Sequence, residues 1–157
     1  MEKLMHFVKA DMSYIDVVYE WANDETTRAN AFNSAEIPYE DHVRWFGRKI
    51  ADTGTLFYIC KNNDVDIGQL RIELLDGEAI ISYSVDKKQR GKGYGKRIIK
   101  FAEDIIRENG AFGLKQINLV GKVKHNNIAS QCCFRAEGYE EEKLDAYIRF
   151  TKVVDVS

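Results

Sequence analysis

The sequence predicts an α/β (α+β) fold in which a sheet of about seven strands carries about four helices. Three observations lead there. An apolar run of strand type, Ala79 to Val85, passes through a glycine-rich basic loop, Gln89-Arg90-Gly91-Lys92-Gly93-Tyr94-Gly95-Lys96, into an amphipathic run, Arg97 to Asn109. Upstream, Ile67 to Leu75 alternates in polarity and meets Glu78 to Val85 across Asp76-Gly77, a strong two-residue hairpin signal. Near the front, Tyr14, Val17, Val18, Trp21 and Ala22, and then Val43, Phe46 and Ile50, recur at helical spacing.

The elements follow in order. Leu4 to Lys9 reads as a first strand. Ser13, with Asp16 three residues on, is a relative of the capping box and opens a helix that Asn23-Asp24-Glu25 ends. A polar stretch runs to Ile37. Pro38 followed by Glu40 and Asp41 starts a second helix, which Gly54 closes. Leu56 to Lys61 is apolar and β-prone, and Asn62-Asn63-Asp64 is turn chemistry. The next strand sets Leu70, Ile72 and Leu74 on one face and Gln69, Arg71 and Glu73 on the other. After the glycine loop, Ile98, Ala102, Ile105 and Ile106 mark a third helix, stopped by Asn109-Gly110. Ile117, Leu119 and Val123 alternate as a strand, Asn127 to Arg135 is a short fourth helix, and Tyr139 to Lys143 and Tyr147 to Val154 are two last strands.

Composition narrows the class. A chain of 157 residues, 45% apolar and 31% charged, reads as a single soluble domain spanning residues 1–157. Twenty-three Lys and Arg against 25 Asp and Glu leave a net charge of −2, so no global basic field points to nucleic acid. No apolar stretch reaches the roughly 20 residues of a membrane helix, and Met1 to His6 does not resemble a leader. Three cysteines, with Cys132 and Cys133 adjacent, give neither a disulfide framework nor zinc spacing, so no metal is expected and the reducing cytoplasm is the simplest compartment.

The glycine loop carries the chemistry. Glycines let the backbone turn sharply and leave no Cβ between it and a ligand. Exposed N–H groups then form an anion-binding concavity, to which the following helix adds a positive dipole end. Arg90, Lys92 and Lys96 add full charges. Spacing decides which phosphate. Gly95-Lys96 is followed by Arg97, which excludes the ATP-type P-loop, and glycines spaced by two exclude the dinucleotide fingerprint. The competing reading is a basic surface turn.

The pattern Arg90-x-x-Gly93-x-Gly95 resembles the pyrophosphate-binding signature of the GNAT N-acetyltransferases, and the element order agrees with theirs along nearly the whole chain. The resemblance implies a mixed, mostly antiparallel sheet splayed between strands 4 and 5, with acetyl-coenzyme A as co-substrate and its pantetheine arm in the gap. It implies that Val85 polarises the thioester carbonyl through its N–H, and that Arg90, Gly91, Lys92, Gly93, Tyr94, Gly95 and Lys96 hold the pyrophosphate. Val123-x-x-x-Asn127 matches the family pattern after the fifth strand, which gives Asn127 a coenzyme role or a plain helix N-cap role. Two departures follow from the same match. Phe134 stands where many relatives carry the Tyr that protonates the leaving thiolate, so it can pack against the coenzyme but not donate. Ala79 stands where several carry a general-base Glu, and the adjacent Glu78 falls on the opposite sheet face. Candidate bases are therefore Glu73, Tyr83 and His125, each with a bland structural alternative.

The front segment, Trp21 to Gly54, is similar to that of the amino-sugar acetyltransferases of the pseudaminic acid pathway, which acetylate the 4-amino group of a UDP-linked 4-amino-4,6-dideoxy sugar. That likeness implies a small-molecule, nucleotide-linked acceptor bound by Trp21, Arg28, His42 and Trp45, with no nucleic acid or membrane partner; the sequence leaves the oligomeric state open, a homodimer being one possibility. A ribosomal-protein N-terminal acetyltransferase and a non-catalytic coenzyme A-binding module are the alternatives.

Overall fold

The computed structural model of the chain describes residues 5–156, so Leu4, the expected start of the first strand, lies outside the described residues. The elements run β1 (Met5–Lys9), α1 (Ile15–Ala22), α2 (Glu25–Asn30), α3 (Tyr39–Ala51), β2 (Thr55–Asn62), β3 (Val65–Leu75), β4 (Glu78–Val85), α4 (Tyr94–Glu108), β5 (Gln116–Val123), α5 (Ile128–Ala136), β6 (Glu140–Lys143) and β7 (Ile148–Asp155). They form the GNAT fold, one seven-stranded sheet ordered β1-β2-β3-β4-β5-β7-β6.

A fifth helix joins the four expected. The polar stretch after α1 contains α2, whose Asp24 side chain accepts from the Thr27 N–H and caps it. Five polar residues and one Ala have no apolar period, so only the cap betrays them. The first helix also starts differently. Asp11, not Ser13, supplies the capping carboxylate, and a 3-10 turn over Met12–Tyr14 leads into α1. The glycine-loop helix begins at Tyr94 rather than Arg97.

The β3–β4 hairpin turns through Asp76 and Gly77, both with positive φ, as its two-residue loop requires. Alternation gives β4 two working faces. Ala79 and Ile81 pack toward α4 with Leu70 and Ile72, and partly buried Tyr83 and Val85 join that cluster. On the opposite face Val18 and Trp21 of α1, Phe46 of α3, and Phe57 and Ile59 of β2 form a second core. Burying a side chain the size of Phe46 contributes about 2–3 kcal/mol, so this smaller core suffices to hold α1 and α3 on the sheet.

The sheet splits at its centre. β4 and β5 run parallel and pair only over Glu78–Ile80 with Asn118–Val120. Beyond Ile80 they diverge, while β4 stays paired with β3 as far as Val85. The split opens beside the glycine loop.

Candidate active site

A cleft of about 940 Å³ occupies the split and reaches both faces of β4. One half lies among Tyr83, the glycine loop, Asn127, Ser130, Cys133 and Phe134. The other lies among Ser82, Ser84, Gln69 and Arg71 of the sheet and His42, Trp45 and Arg48 of α3.

The first half is built to receive an anion and an extended arm. Gly91 and Gly93 have φ of 77° and 84°, the left-handed conformation that folds the loop back on α4. Gly93 is the N-cap of α4 and offers no side-chain cap, so the first-turn N–H groups of a 15-residue helix remain available to an anion. Strand geometry adds a donor. The Asp86 N–H bonds to the Ile67 carbonyl at 2.7 Å, and since successive strand amides alternate in direction, the Val85 N–H faces the opened side. These features fit a pyrophosphate joined to a pantetheine-like arm. Among the described residues no group of three or more His, Cys, Asp or Glu could hold a metal ion, and no helix is long and apolar enough to cross a membrane.

Charges in this half are disposed differently from the sequence expectation. The Arg90 guanidinium pairs with Asp24 at 2.6 Å, reaches Thr27 Oγ1, and donates from Nε to the Val85 carbonyl at 3.2 Å. It thus ties the loop to the start of α2. Burial raises the Asp24 carboxyl, but Arg90 and the Thr27 N–H outweigh it and hold Asp24 below its ordinary value. Lys92 is exposed and donates to Gln89 Oε1, and Lys96 borders a separate shallow depression, so neither lines the cleft. The Tyr94 ring is buried and its hydroxyl accepts from Asn62 Nδ2, which leaves Tyr94 only its backbone to offer. Asn127 lines the cleft and caps α5, its Oδ1 accepting from the Ser130 N–H at 3.3 Å.

Phe134 is 1% exposed and stacks on Phe150 with centroids 5.3 Å apart. Its ring tip rests on β5 at Gly121, where an added Cβ would lie 2.3 Å from Cζ. The cleft-lining phenol beside it belongs to another element. Tyr83 packs edge-on to Phe134 and donates to Ser130 Oγ at 2.9 Å, with Cys133 beside it. Burial pushes the Tyr83 phenol far up, so it stays protonated at neutral pH, and burial likewise raises the Cys133 thiol. A phenol in that state can donate a hydrogen bond but not take a proton.

Of the three candidate bases, Tyr83 alone lines the cleft. Glu73 points elsewhere and is held by Lys49 at 2.7 Å and Arg71 at 2.5 Å. Burial raises its carboxyl, yet those two cations bring it below its usual range, which makes it a weak proton acceptor. His125 is exposed in the β5–α5 turn, its Nε2 against the Leu144 carbonyl at 2.7 Å.

The acceptor-side residues also need correction. Trp21 is core, not lining. Its indole N–H donates to Asp86 Oδ2 at 2.8 Å and pins α1 to the segment after β4. Arg28 borders the cleft but spends Nη1 on the carbonyls of Asn33 and Ala35, holding the α2–α3 loop. His42 and Trp45 do line the cleft. Burial lowers the His42 imidazole, and its Nε2 lies 2.9 Å from the Ile15 carbonyl, a bond that fixes this nitrogen as the protonated one in the neutral ring.

Sequence reasoning missed two residues. Arg71 lies over the Trp45 ring, 4.8 Å from its centroid, with Nε on Glu73. Gln69 is 7% exposed, donates to Ser84 Oγ at 3.0 Å, and leaves Oε1 without a partner among the described residues. Both stood on the polar face of the third strand, and that face is buried here only because α1 and α3 cover it.

The sequence model of the acetyltransferase (GNAT) family matches residues 15–139. The chain belongs to this acetyltransferase family. No curated protein sequence matches it. Among solved structures it is similar to RimL, the ribosomal L7/L12 alpha-N-protein acetyltransferase in complex with coenzyme A, at 15% identity and a TM-score of 0.78, over 98% of this chain and 96% of that one. It is also similar to spermidine N-acetyltransferase from Vibrio cholerae in complex with CoA and spermine, at 13% identity and a TM-score of 0.76, over 96% and 95%. Aminoglycoside acetyltransferase AAC(6')-Ib in complex with coenzyme A matches at 14% identity and a TM-score of 0.76, over 97% and 95%. At these identities the likeness is one of fold.

Proposed function

We propose that the chain transfers the acetyl group of acetyl-CoA to a primary amine, the 4-amino group of a UDP-linked 4-amino-4,6-dideoxy sugar of pseudaminic acid type. The observation that carries the reading is the split sheet. β4 has no β5 partner after Ile80, and the uncapped start of α4 lies just past the end of that strand. An extended amide-bearing arm adds there as a strand would, with its pyrophosphate on the helix N-terminus.

The reaction forms an N–C bond and breaks the C–S bond, and the proton lost by the amine nitrogen ends on the coenzyme sulfur. The Val85 N–H meets the negative charge that develops on the carbonyl oxygen. Tyr83, protonated and beside the Phe134 that replaces the family phenol, donates a hydrogen bond to the departing sulfur. Only the neutral amine attacks, so turnover rises with pH through the pKa of the amine or of its base. His42 lines the cleft and has a basic nitrogen, Nδ1, with no hydrogen-bond partner among the described residues.

The charge of the acceptor half separates candidate amines. Arg48, Arg71 and Lys122 line it against Asp41, which is itself paired with Arg44. A polycation such as spermine meets repulsion there, whereas an amine attached to phosphates does not. The test is an acceptor panel with purified protein and acetyl-CoA, read as release of free thiol. Turnover with a UDP-4-amino sugar and none with polyamines or a ribosomal-type peptide is expected. Acetylation of the peptide alone would establish the N-terminal acetyltransferase reading. No acetylation of any amine would establish a coenzyme-binding module.

A further inference from the structure

We infer that Arg71, with Arg48 beside it, is the diphosphate-binding site for the acceptor. This inference takes the position of the reacting amine from the acetyltransferase reading. Three features of Arg71 support it. Its guanidinium lies over the Trp45 ring, with Cζ 4.8 Å from the centroid, and Glu73 fixes Nε, so the group is oriented before any ligand arrives. The terminal nitrogens make no protein hydrogen bond among the described residues, and Arg71 lines the cleft. A guanidinium with Nε occupied and both terminal nitrogens available suits two phosphate oxygens. Glu73 itself keeps Lys49 as a second partner, so the ion pair does not consume the whole charge.

Arg48 adds a second cation. It follows Trp45 by three residues on α3, which sets it on the same face of the helix. It lines the cleft, is exposed, and has no ion-pair partner among the described residues. Arg28, an acceptor-binding residue expected from sequence, already serves the Asn33 and Ala35 carbonyls.

The spacing agrees with the chemistry. Arg71 is paired across the ladder with Ser82, three residues before Val85, which corresponds to roughly 10 Å along the strand. An amine reacting near the Val85 N–H and a phosphate near Arg71 are therefore separated by a span comparable to one pyranose ring with its two exocyclic bonds. Phe32, 58% exposed on the cleft wall, offers a ring face for the base beyond the phosphates.

The experiment titrates UDP by calorimetry into protein already saturated with coenzyme A, so that the pyrophosphate cradle at α4 is filled. Uridine, which lacks the phosphates, is titrated in parallel. Wild-type protein is expected to bind UDP at least tenfold more tightly than uridine. Arg71→Gln should weaken UDP at least tenfold and leave uridine unchanged. Arg48→Gln, which touches no buried contact, should weaken UDP three- to tenfold and guards against a folding defect in the first variant. UDP binding that persists undiminished in both variants overturns the assignment, as does a saturated wild type that takes no UDP. If UDP binds through Arg71 while no UDP-amino sugar is acetylated, the anion site is supported and the acceptor reading fails.

Discussion

Replacing Tyr83 by Phe removes one oxygen and separates a structural role from a chemical one. In the resting protein that hydroxyl donates to Ser130 Oγ at 2.9 Å with the Cys133 thiol as a second polar neighbour, neutral contacts whose loss costs about 1 kcal/mol of stability. If the same hydroxyl meets the departing sulfur, its loss removes a donor aimed at developing charge, and such donors contribute about 10²-fold in kcat. That is about 2.7 kcal/mol at 1.36 kcal/mol per factor of ten, well above the structural cost. The assay measures thiol release at saturating acetyl-CoA and acceptor, with chemical denaturation run alongside. Tyr83→Phe should fold, bind acetyl-CoA within threefold of wild type, and lose about two decades of kcat. An acetyl thioester of an acidic aromatic thiol needs little help to leave, so with that donor the deficit should shrink. A folded Tyr83→Phe variant with kcat within twofold of wild type on acetyl-CoA would refute the role.

The half of the cleft beside the glycine loop is more legible in the sequence than the half beneath α3, for a physical reason. A phosphate cradle is local. Gly91, Gly93 and the start of α4 are neighbours in sequence, and their positive φ values and uncapped helix are written in a few consecutive residues. Val85 was reachable too, because amide direction follows from register along one strand. The acceptor half is assembled from β3, β4 and α3, and which polar residue faces a cavity depends on what covers the sheet. Trp21 and Trp45 looked alike at helical spacing, yet one is sealed against Asp86 and the other lies under Arg71. Gln69, Arg71 and Glu73 shared one polar face, and only packing sorts a half-paired amide, an oriented guanidinium and a neutralised carboxylate among them. Arg90 shows the same limit, since its partner Asp24 caps a helix that carries no apolar signal.

Three further outcomes are expected. Gly93→Val forces a β-branched residue into a left-handed conformation, and Gly95→Val drives a Cβ to 3.1 Å from Cys133 Sγ, so each should weaken acetyl-CoA binding at least tenfold, about 1.4 kcal/mol, by calorimetry. Phe134→Tyr should not supply the missing family acid. A para hydroxyl must be fitted where the ring already abuts Gly121, so a loss of about 1–3 kcal/mol in stability is expected by denaturant melt, with no gain in turnover. Asp24 and Arg90 should make the loop acid-sensitive. Because the folded Asp24 lies below its ordinary value, its contribution is fully present above the unfolded carboxylate pKa and is lost as pH falls through the folded one. Asp24→Asn keeps the helix cap, since Asn caps as well as Asp, and removes only the charge. That variant should lose about 1–2 kcal/mol at pH 7 and show a flatter stability profile below pH ~4, because the charged hydrogen bond that wild type forfeits there is already absent. A variant whose acid limb superimposes on that of wild type would show that Arg90 is anchored by Thr27 and the Val85 carbonyl rather than by the Asp24 charge.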